Sequence, residues 1–482
     1  CVRDPMGVKP FYYYESGKVF AFASEARPLG RHPLFDCSIS EQRIADSLVF
    51  PLEHADKTST LFQSVKRLPP ASLMIVDEQH VQIKNYWQPN PEFELKLSSD
   101  EEYVEAFSEQ LERAVATRMP RSGNIGVLLS GGVDSSVVTG VTQALVAKQK
   151  HGSLVTYSTI LEPEQKCKES TCIRLMQKKL GLNSVTVRPS DLPSIKQELA
   201  QIMSLAAEPF DWCMWQVLLL ANQAVQGRCE VLFDGVDGDL IHSLSPSYPS
   251  QLLRDGKLRE ALREEYLLWD RYYDRNENIA SRYYWLFRHL GLPQSLAWLK
   301  HFKPAPRADI GHLIHPELGK LMSVEARVLA MHNEIYGQGL QSLRSRHARS
   351  IVHPVIAAGL ERYDRVTALA GIEVRHPLMD QTLVELSLAF PREQKVRDGW
   401  SKFHLRRAGM KTIPKQISFR KDHEENAWRF FDDLVDIFEL REQVQNANNI
   451  DQYLRPGVKK NIGKLVAGDV IQLYYLSQSL RD

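Results

Sequence analysis

The sequence predicts an α/β protein. A β-rich N-terminal region should be followed by a doubly wound parallel sheet, and that by a helical C-terminal elaboration. Three observations predict this. Short apolar or alternating runs separated by turn residues fill residues 1–87. Compact apolar runs alternate with helical periods between residues 101 and 233. From about residue 245 onward the pattern is helical, with no convincing strand.

In chain order, Phe11–Tyr14, Val19–Ala23, Leu73–Val76 and Val81–Ile83 read as strands, with Glu15–Gly17 as a turn and Glu41–Leu48 as a short helix. Pro89, Pro91 and the polar stretch to Asp100 read as a linker, which divides the chain into regions 1–90 and 91–482. Tyr103, Phe107, Leu111 and Val115 recur every fourth residue and predict a helix over 101–117. Ile125–Leu129 predicts a strand, and Val137–Lys148 a helix. Leu154–Ile160 and Ser184–Arg188 predict strands around a helix at Ser170–Leu180, which Gly181 stops. Helices are expected near 193–206 and 214–226, before a strand at Glu230–Phe233. Further helices are expected at Leu253–Leu268, Ala280–Leu290, Gln294–His301, Leu360–Leu369, Gln381–Phe390, Trp400–Met410 and Ala427–Leu440.

Composition limits the function. The chain has 482 residues, 60 Lys plus Arg against 59 Asp plus Glu, and a formal charge of +1. It has no global field for gripping nucleic acid or an anionic membrane. Six cysteines without a CxxC pair argue against a disulfide scaffold and a structural zinc site. There is no run of about 18 apolar residues, so no membrane-spanning helix is expected, and a cytoplasmic location is.

The most informative stretch is Ser130-Gly131-Gly132-Val133-Asp134-Ser135-Ser136, between a predicted strand and a predicted helix. Glycines let backbone N–H groups approach an anion, and the helix start adds unpaired donors. Asp134 has the wrong charge for phosphate but the right one for Mg²⁺ bridging to phosphate oxygens. The loop is neither a Walker A loop nor GxGxxG. A second acidic loop, Asp234-Gly235-Val236-Asp237-Gly238-Asp239, follows a later strand. In a doubly wound sheet both loops leave the ligand-binding edge, so Asp134 and Asp239 should converge as a Mg²⁺ pair.

Ser130–Ser136 resembles the SGGxDS pyrophosphate loop of ATP pyrophosphatases, and the chain as a whole resembles the asparagine synthetase B family of glutamine amidotransferases. Arg3-Asp4-Pro5-Met6-Gly7-Val8-Lys9-Pro10-Phe11-Tyr12-Tyr13, Phe22-Ala23-Ser24-Glu25, Leu68-Pro69-Pro70 and Tyr86-Trp87 resemble the second half of that family's glutaminase domain. Gly371-Ile372-Glu373-Val374-Arg375-His376-Pro377-Leu378-Met379-Asp380 resembles its EVRxPxLD signature. Lys402, Arg406, Arg407 and Phe419-Arg420-Lys421 resemble its C-terminal basic segment.

The resemblance implies a partial Ntn-hydrolase (glutaminase-type) sandwich over 1–90 and a pyrophosphate-loop ATPase domain over 91–482. It implies ATP and Mg²⁺ as cofactors, with Leu129, Ser130, Gly131, Gly132, Asp134, Ser135, Ser136, Ser158 and Gly235 around ATP. Lys421 is the candidate cation for the phosphoryl oxygens. The implied chemistry adenylates a carboxylate, releases pyrophosphate, and transfers the acyl group to ammonia or an amine. The nitrogen would come from glutamine, ammonia or a peptide amine, and a homodimer is one open arrangement.

Two departures qualify the resemblance. Cys1 precedes Arg3-Asp4-Pro5 and does not match the family's N-terminal nucleophile, so the half carrying that nucleophile is expected to lie outside this sequence. Val236 stands where the family's GEGSDE loop carries Glu, so another second-step base is needed, with Glu208 and Glu373 as candidates. Both departures resemble relatives such as the lasso-peptide cyclases, which capture the acyl group with a peptide amine. The substrate is then either aspartate or a peptide carboxylate. Two competing readings are a tRNA- or nucleotide-modifying pyrophosphatase and a catalytically inactive binding module.

Overall fold

The computed structural model describes residues 1–480 except 18, 50–51, 53–55, 79, 150–151, 162–166, 194–196, 198–213, 245–247, 273–278, 289–310, 337–341, 422–431 and 437. The N-terminal region builds two small antiparallel sheets. Strands β1 (Tyr12–Ser16), β2 (Val19–Ala23) and β3 (Val65–Arg67) form one, in the order β2-β1-β3. A hairpin of β4 (Ser72–Val76) and β5 (Val81–Asn85) forms the other, and the α-amino group of Cys1 donates to the Met74 carbonyl at 2.8 Å. Strand β3 was not expected, because Lys66 and Arg67 hide its alternation.

Helix α1 (Asp100–Ala116) begins at Ser99, whose hydroxyl accepts the Glu102 N–H, with Asp100, Glu101 and Glu102 at the favourable end of its dipole. Its predicted stripe is real: Tyr103, Phe107, Leu111 and Val115 are all buried. The chain then alternates as β6 (Asn124–Leu128), α2 (Val133–Gln149), β7 (Leu154–Thr159), α3 (Lys168–Leu180) and β8 (Asn183–Val187). Helix α4 (Met214–Gln226) and β9 (Cys229–Phe233) follow. The expected helix near 193–206 lies almost wholly outside the described residues.

No strand is expected beyond residue 245, yet Glu373–Arg375, here β10, pairs in parallel with β9 at the edge of this sheet. Three residues are too few for a period to show, and charges at two of them mask the run. A second exception is the two-residue pairing of β11 (Val396–Arg397) with β12 (Trp400–Ser401), which takes Trp400 out of the expected helix. The sheet order is β10-β9-β6-β7-β8, all parallel. The chain winds outward in opposite directions from β6, so the switch point lies between β6 and β9.

Alternation sorts the sheet's side chains into two cores. Ile125, Val127, Val231 and Phe233 pack with α1 and α2, whereas Tyr157 and Leu232 pack on the opposite face with Leu218, Val366 and Ile471. The helical elaboration includes α5 (Gly238–Ile241), α6 (Tyr248–Arg254), α7 (Leu258–Tyr272), α8 (Leu343–Ile351), α9 (Pro354–Ala370), α10 (Gln381–Ala389) and α11 (Phe403–Gly409). The expected helix at Gln294–His301 lies outside the described residues. No helix among the described residues is long and apolar enough to cross a membrane.

The N-terminal region is locked to α9 by a buried ion cluster. Arg3 Nη2 donates to Glu361 Oε1 at 2.5 Å, and Arg67 Nη1 to Glu361 Oε2 at 3.1 Å. The remaining Arg3 donors go to the carbonyls of Gly7, Lys9 and Leu68. Burial opposes charge on Glu361, but Arg67 and then Arg3 outweigh it and hold its pKa below the usual carboxylate value. Removing one partner of such a cluster strands the others' charge. Glu361→Ala should therefore cost about 3–5 kcal/mol, read from urea unfolding.

A second buried group is made of neutral imidazoles. Burial pushes the His242 pKa down to about 3, and lowers those of His347 and His404 as well. The unfolded chain binds these protons near pH 6.5 and the folded chain does not, so their linkage removes stability as pH falls below that value. Each contributes a slope of about 1.4 kcal/mol per pH unit. His404→Gln should flatten the fall in stability between pH 6.5 and 4, measured by denaturant titration across pH.

Candidate active site

The loop after β6 and the loop after β9 meet at the switch point. Gly131 has φ of +78°, and a Cβ there would lie 2.5 Å from the Glu169 carbonyl oxygen, so only glycine fits the turn. Ser135 Oγ accepts the Ser130 N–H at 3.2 Å and lies 2.9 Å from Ser130 Oγ, which closes the loop on the first turn of α2. A Cβ on Gly235 would sit 2.4 Å from the Ser135 backbone nitrogen. The two loops thus touch backbone to backbone.

Their carboxylates share one cation. Lys402 is 2% exposed, takes a left-handed φ of +53° just before α11, and points its ammonium between Asp134 and Asp239. Its Nζ bonds Asp134 Oδ2 and lies 2.6 Å from Asp239 Oδ1. Burial disfavours the ammonium, but the two carboxylates outweigh it and raise its pKa. Burial raises the pKa of Asp134, and Asp239 adds to that against the pull of Lys402.

A cavity of about 160 Å³ opens here, lined by Ser130, Gly132, Val133, Asp134, Glu169, Asp239, Tyr272, Lys402, Arg406 and Arg420. Arg420 braces the loop by donating to the Gly131 carbonyl at 3.0 Å. Arg406 donates to the Ser401 and Ser418 carbonyls at 2.7 Å each, and to the Tyr272 hydroxyl at 3.0 Å. Three guanidinium or ammonium groups around a glycine–hydroxyl loop suit a polyanionic phosphate.

The structure brings together Ser130, Gly132, Asp134 and Asp239 as cavity lining, with Gly131, Ser135, Ser136 and Gly235 directly behind them. Leu129 and Ser158 are buried beneath the loop, where Ser158 Oγ donates to the Leu129 carbonyl at 2.7 Å. Lys421 does not line the cavity. It is 53% exposed and pairs with Asp270 at 2.8 Å, whereas Lys402 lines the cavity. Glu373 does not line it either. It sits at the opposite end of β10 from the loops, exposed, with Arg375 at 2.8 Å and Lys9 at 3.5 Å. Glu208 lies outside the described residues.

Lys402, Arg406 and Arg420 were within the basic segment already singled out, and Lys402 and Arg406 stand one helical turn apart, which was the available signal. Tyr272 arrives from the end of α7 and has no signal in the sequence. Asp234 and His376 both lie in segments singled out above, but nothing in the sequence signals that they pair, buried, with Oδ1 2.8 Å from Nδ1. Beside this pair, burial and then the Asp234 charge push the Asp237 pKa up to about 7, against the pull of His376.

The donor set suits Mg²⁺. Two carboxylates plus phosphate oxygens is the usual way this hard cation is held, and Asp134 Oδ1 is buried with no hydrogen-bond partner.

A doubly wound sheet with this loop and these cations at its switch point is a pyrophosphate-loop ATPase-type fold. The chain belongs to the asparagine synthase family: the model of that family matches residues 106–451, and the glutamine amidotransferase domain model matches residues 1–87. It is 24% identical to asparagine synthetase [glutamine-hydrolyzing] 3 of Bacillus subtilis over 439 residues, which are 87% of this chain and 63% of that protein. It is also 24% identical to asparagine synthetase 1 of the same organism, over 87% of this chain and 64% of the other. The chain thus spans less than two thirds of these relatives' length. Among solved structures it is similar to an NH3-dependent NAD synthetase from Campylobacter jejuni, at 12% identity and a TM-score of 0.23, covering 51% of this chain and 99% of that one.

Gly235→Ala tests the contact between the loops. Overpacking against backbone should cost about 1–3 kcal/mol in thermal unfolding. Amide exchange across Ser130–Ser136 should quicken, because the clash is with the Ser135 nitrogen.

Proposed function

We propose that the chain is an ATP-dependent amide-forming ligase that activates a carboxylate as an acyl-adenylate. One observation carries the reading: Lys402 joins Asp134 and Asp239 beside the pyrophosphate loop, in a cavity also lined by Arg406 and Arg420. Family membership and the asparagine synthetase names of its relatives support it.

In the first step a substrate carboxylate oxygen forms a bond to the α-phosphorus of ATP. The bond to the β-phosphoryl oxygen breaks, and pyrophosphate leaves with the electron pair. Lys402 and Arg406 stabilise charge on the departing oxygens, and Arg420 holds the loop that receives them. Asp134 and Asp239 would hold Mg²⁺, which supplies neutralisation of phosphate charge. In the second step an amine nitrogen bonds the acyl carbon, AMP departs, and the nitrogen loses a proton.

Val236 cannot take that proton, which passes to water, and a second reading keeps the same chemistry. The nucleophile is then an amine of a larger substrate, such as a peptide, and not free ammonia. We propose residues 1–90 and 91–482 as the glutaminase-type and synthetase-type parts.

Pyrophosphate release decides the matter. Asp134→Ala should abolish it, and Lys402→Met should lower it about 10²–10³-fold, the usual cost of one transition-state donor. Lys421→Ala should stay within a few-fold of wild type. A larger loss at Lys421 than at Lys402 would overturn the assignment of the cation. Turnover with aspartate and ammonia alone would sink the peptide reading.

A further inference from the structure

Asp239 stands on a single turn of helix. Helix α5 has four residues, and a first turn is costly because it fixes several dihedrals for one hydrogen bond. It starts at Asp237, whose φ of +54° is left-handed and whose side chain caps nothing. Leu240 and Ile241 donate to the Asp237 carbonyl, and His242 donates to that of Gly238. The last carbonyls of such a turn have no partner within it, so another element must hold them.

His347 of α8 holds them. It is buried, and its Nε2 lies 3.2 Å and 3.0 Å from the Leu240 and Ile241 carbonyl oxygens. Carbonyl oxygens only accept, so Nε2 carries the ring proton and Nδ1 is left as an acceptor. Burial, and then Lys395, push the ring's pKa well below the usual histidine value, so the ring is neutral. Lys395 Nζ lies 3.2 Å from that Nδ1 and donates to the Leu388 carbonyl of α10 at 3.0 Å. Lys395 is 1% exposed and has no other hydrogen-bond partner among the described residues. Burial, and then the charge of Arg344, push its pKa well below the usual lysine value. A neutral amine has two N–H groups, and these two acceptors take both.

Lys395 immediately precedes β11, and β12 leads directly into Lys402. One buried amine thus reaches both members of the Lys402–Asp239 pair, the first through the β11–β12 hairpin and the second through His347 and α5. We propose that His347 and Lys395 are positioning residues, which hold α5 so that Asp239 faces Lys402 at the cavity. The role rests on the ligase reading above, in which Asp239 holds Mg²⁺.

The probe is ATP with excess Mg²⁺, titrated into the full chain by calorimetry. His347→Asn offers Lys395 an acceptor near the Nδ1 position but no donor to α5. It should weaken binding about 10–100-fold, the usual cost of losing a partner that orients a metal ligand. His347→Gln places an amide N–H near the Nε2 position and should bind within a few-fold of wild type, although it strands Lys395 and should melt lower. Amide exchange at Leu240, Ile241 and His242 should quicken in His347→Asn and not in His347→Gln. Lys395→Met keeps the chain length without the donors and should weaken binding in the same direction, which keeps the test alive if His347→Asn does not fold. In an Asp239→Asn background, His347→Asn should cost no more than a few-fold, because its effect passes through Asp239.

Wild-type affinity in both His347→Asn and Lys395→Met overturns the proposal. So does an equal loss in His347→Asn and His347→Gln, which is what a merely structural role produces. A loss undiminished in the Asp239→Asn background overturns it as well. Failure of the wild-type chain to bind Mg·ATP sinks the ligase reading and the metal role of Asp239 together, whereas tight wild-type binding that the variants leave unchanged sinks the positioning role alone.

Discussion

Two carboxylates close together repel each other, and Lys402 lies between Asp134 and Asp239 and offsets that repulsion. Much of the architecture around the cavity serves that arrangement. Asp134 needs the tight turn at Gly131, and Asp239 needs the second loop to press against the first at Gly235. Lys402 needs a left-handed backbone to turn its ammonium inward. That conformation costs a non-glycine residue of order 1–3 kcal/mol, and it is kept where surrounding structure overdetermines it. Here the neighbouring Ser401 N–H bonds the Tyr272 hydroxyl at 3.2 Å, and Arg406 bonds the same hydroxyl one turn later.

The helical elaboration is therefore a wall of the site and more than a cover for the sheet. Three consecutive residues at the end of α7 grip the basic segment: Asp270 pairs with Lys421, Arg271 stacks on Trp400 at 4.0 Å, and Tyr272 binds Arg406. Seen this way, Lys421 has a role after all. It ties the segment to α7 from the outside, while Lys402 works from the inside.

The parallel sheet was legible because its strands alternate with long periodic helices, and the phosphate loop because glycines and hydroxyls are informative only in that context. The convergence of Asp134 and Asp239 followed from topology alone. What stayed hidden has a common cause. Strands β3 and β10 are three residues long and carry charges, so they lack a period. Lys402 and Lys421 both sit in a basic run, and choosing between them needs the left-handed turn that only coordinates reveal. Tyr272 is brought in by tertiary packing from a segment with no local mark of function, and the pairing of His376 with Asp234 joins two marked segments that only the fold brings into contact.

Glu361 has a consequence for how this protein can be divided. Its carboxylate belongs to α9, which runs directly into β10 and the sheet, yet two of its counter-charges come from the first 67 residues. Tyr12 adds a third contact through its hydroxyl at 3.3 Å. A break in the chain between residues 87 and 100 would leave covalent neighbours intact but uncover a buried acid on one piece and two buried arginines on the other. The two regions match separate family models, but buried ion pairs join them. Exchanging either with a relative's counterpart demands that the arginines and the glutamate travel together.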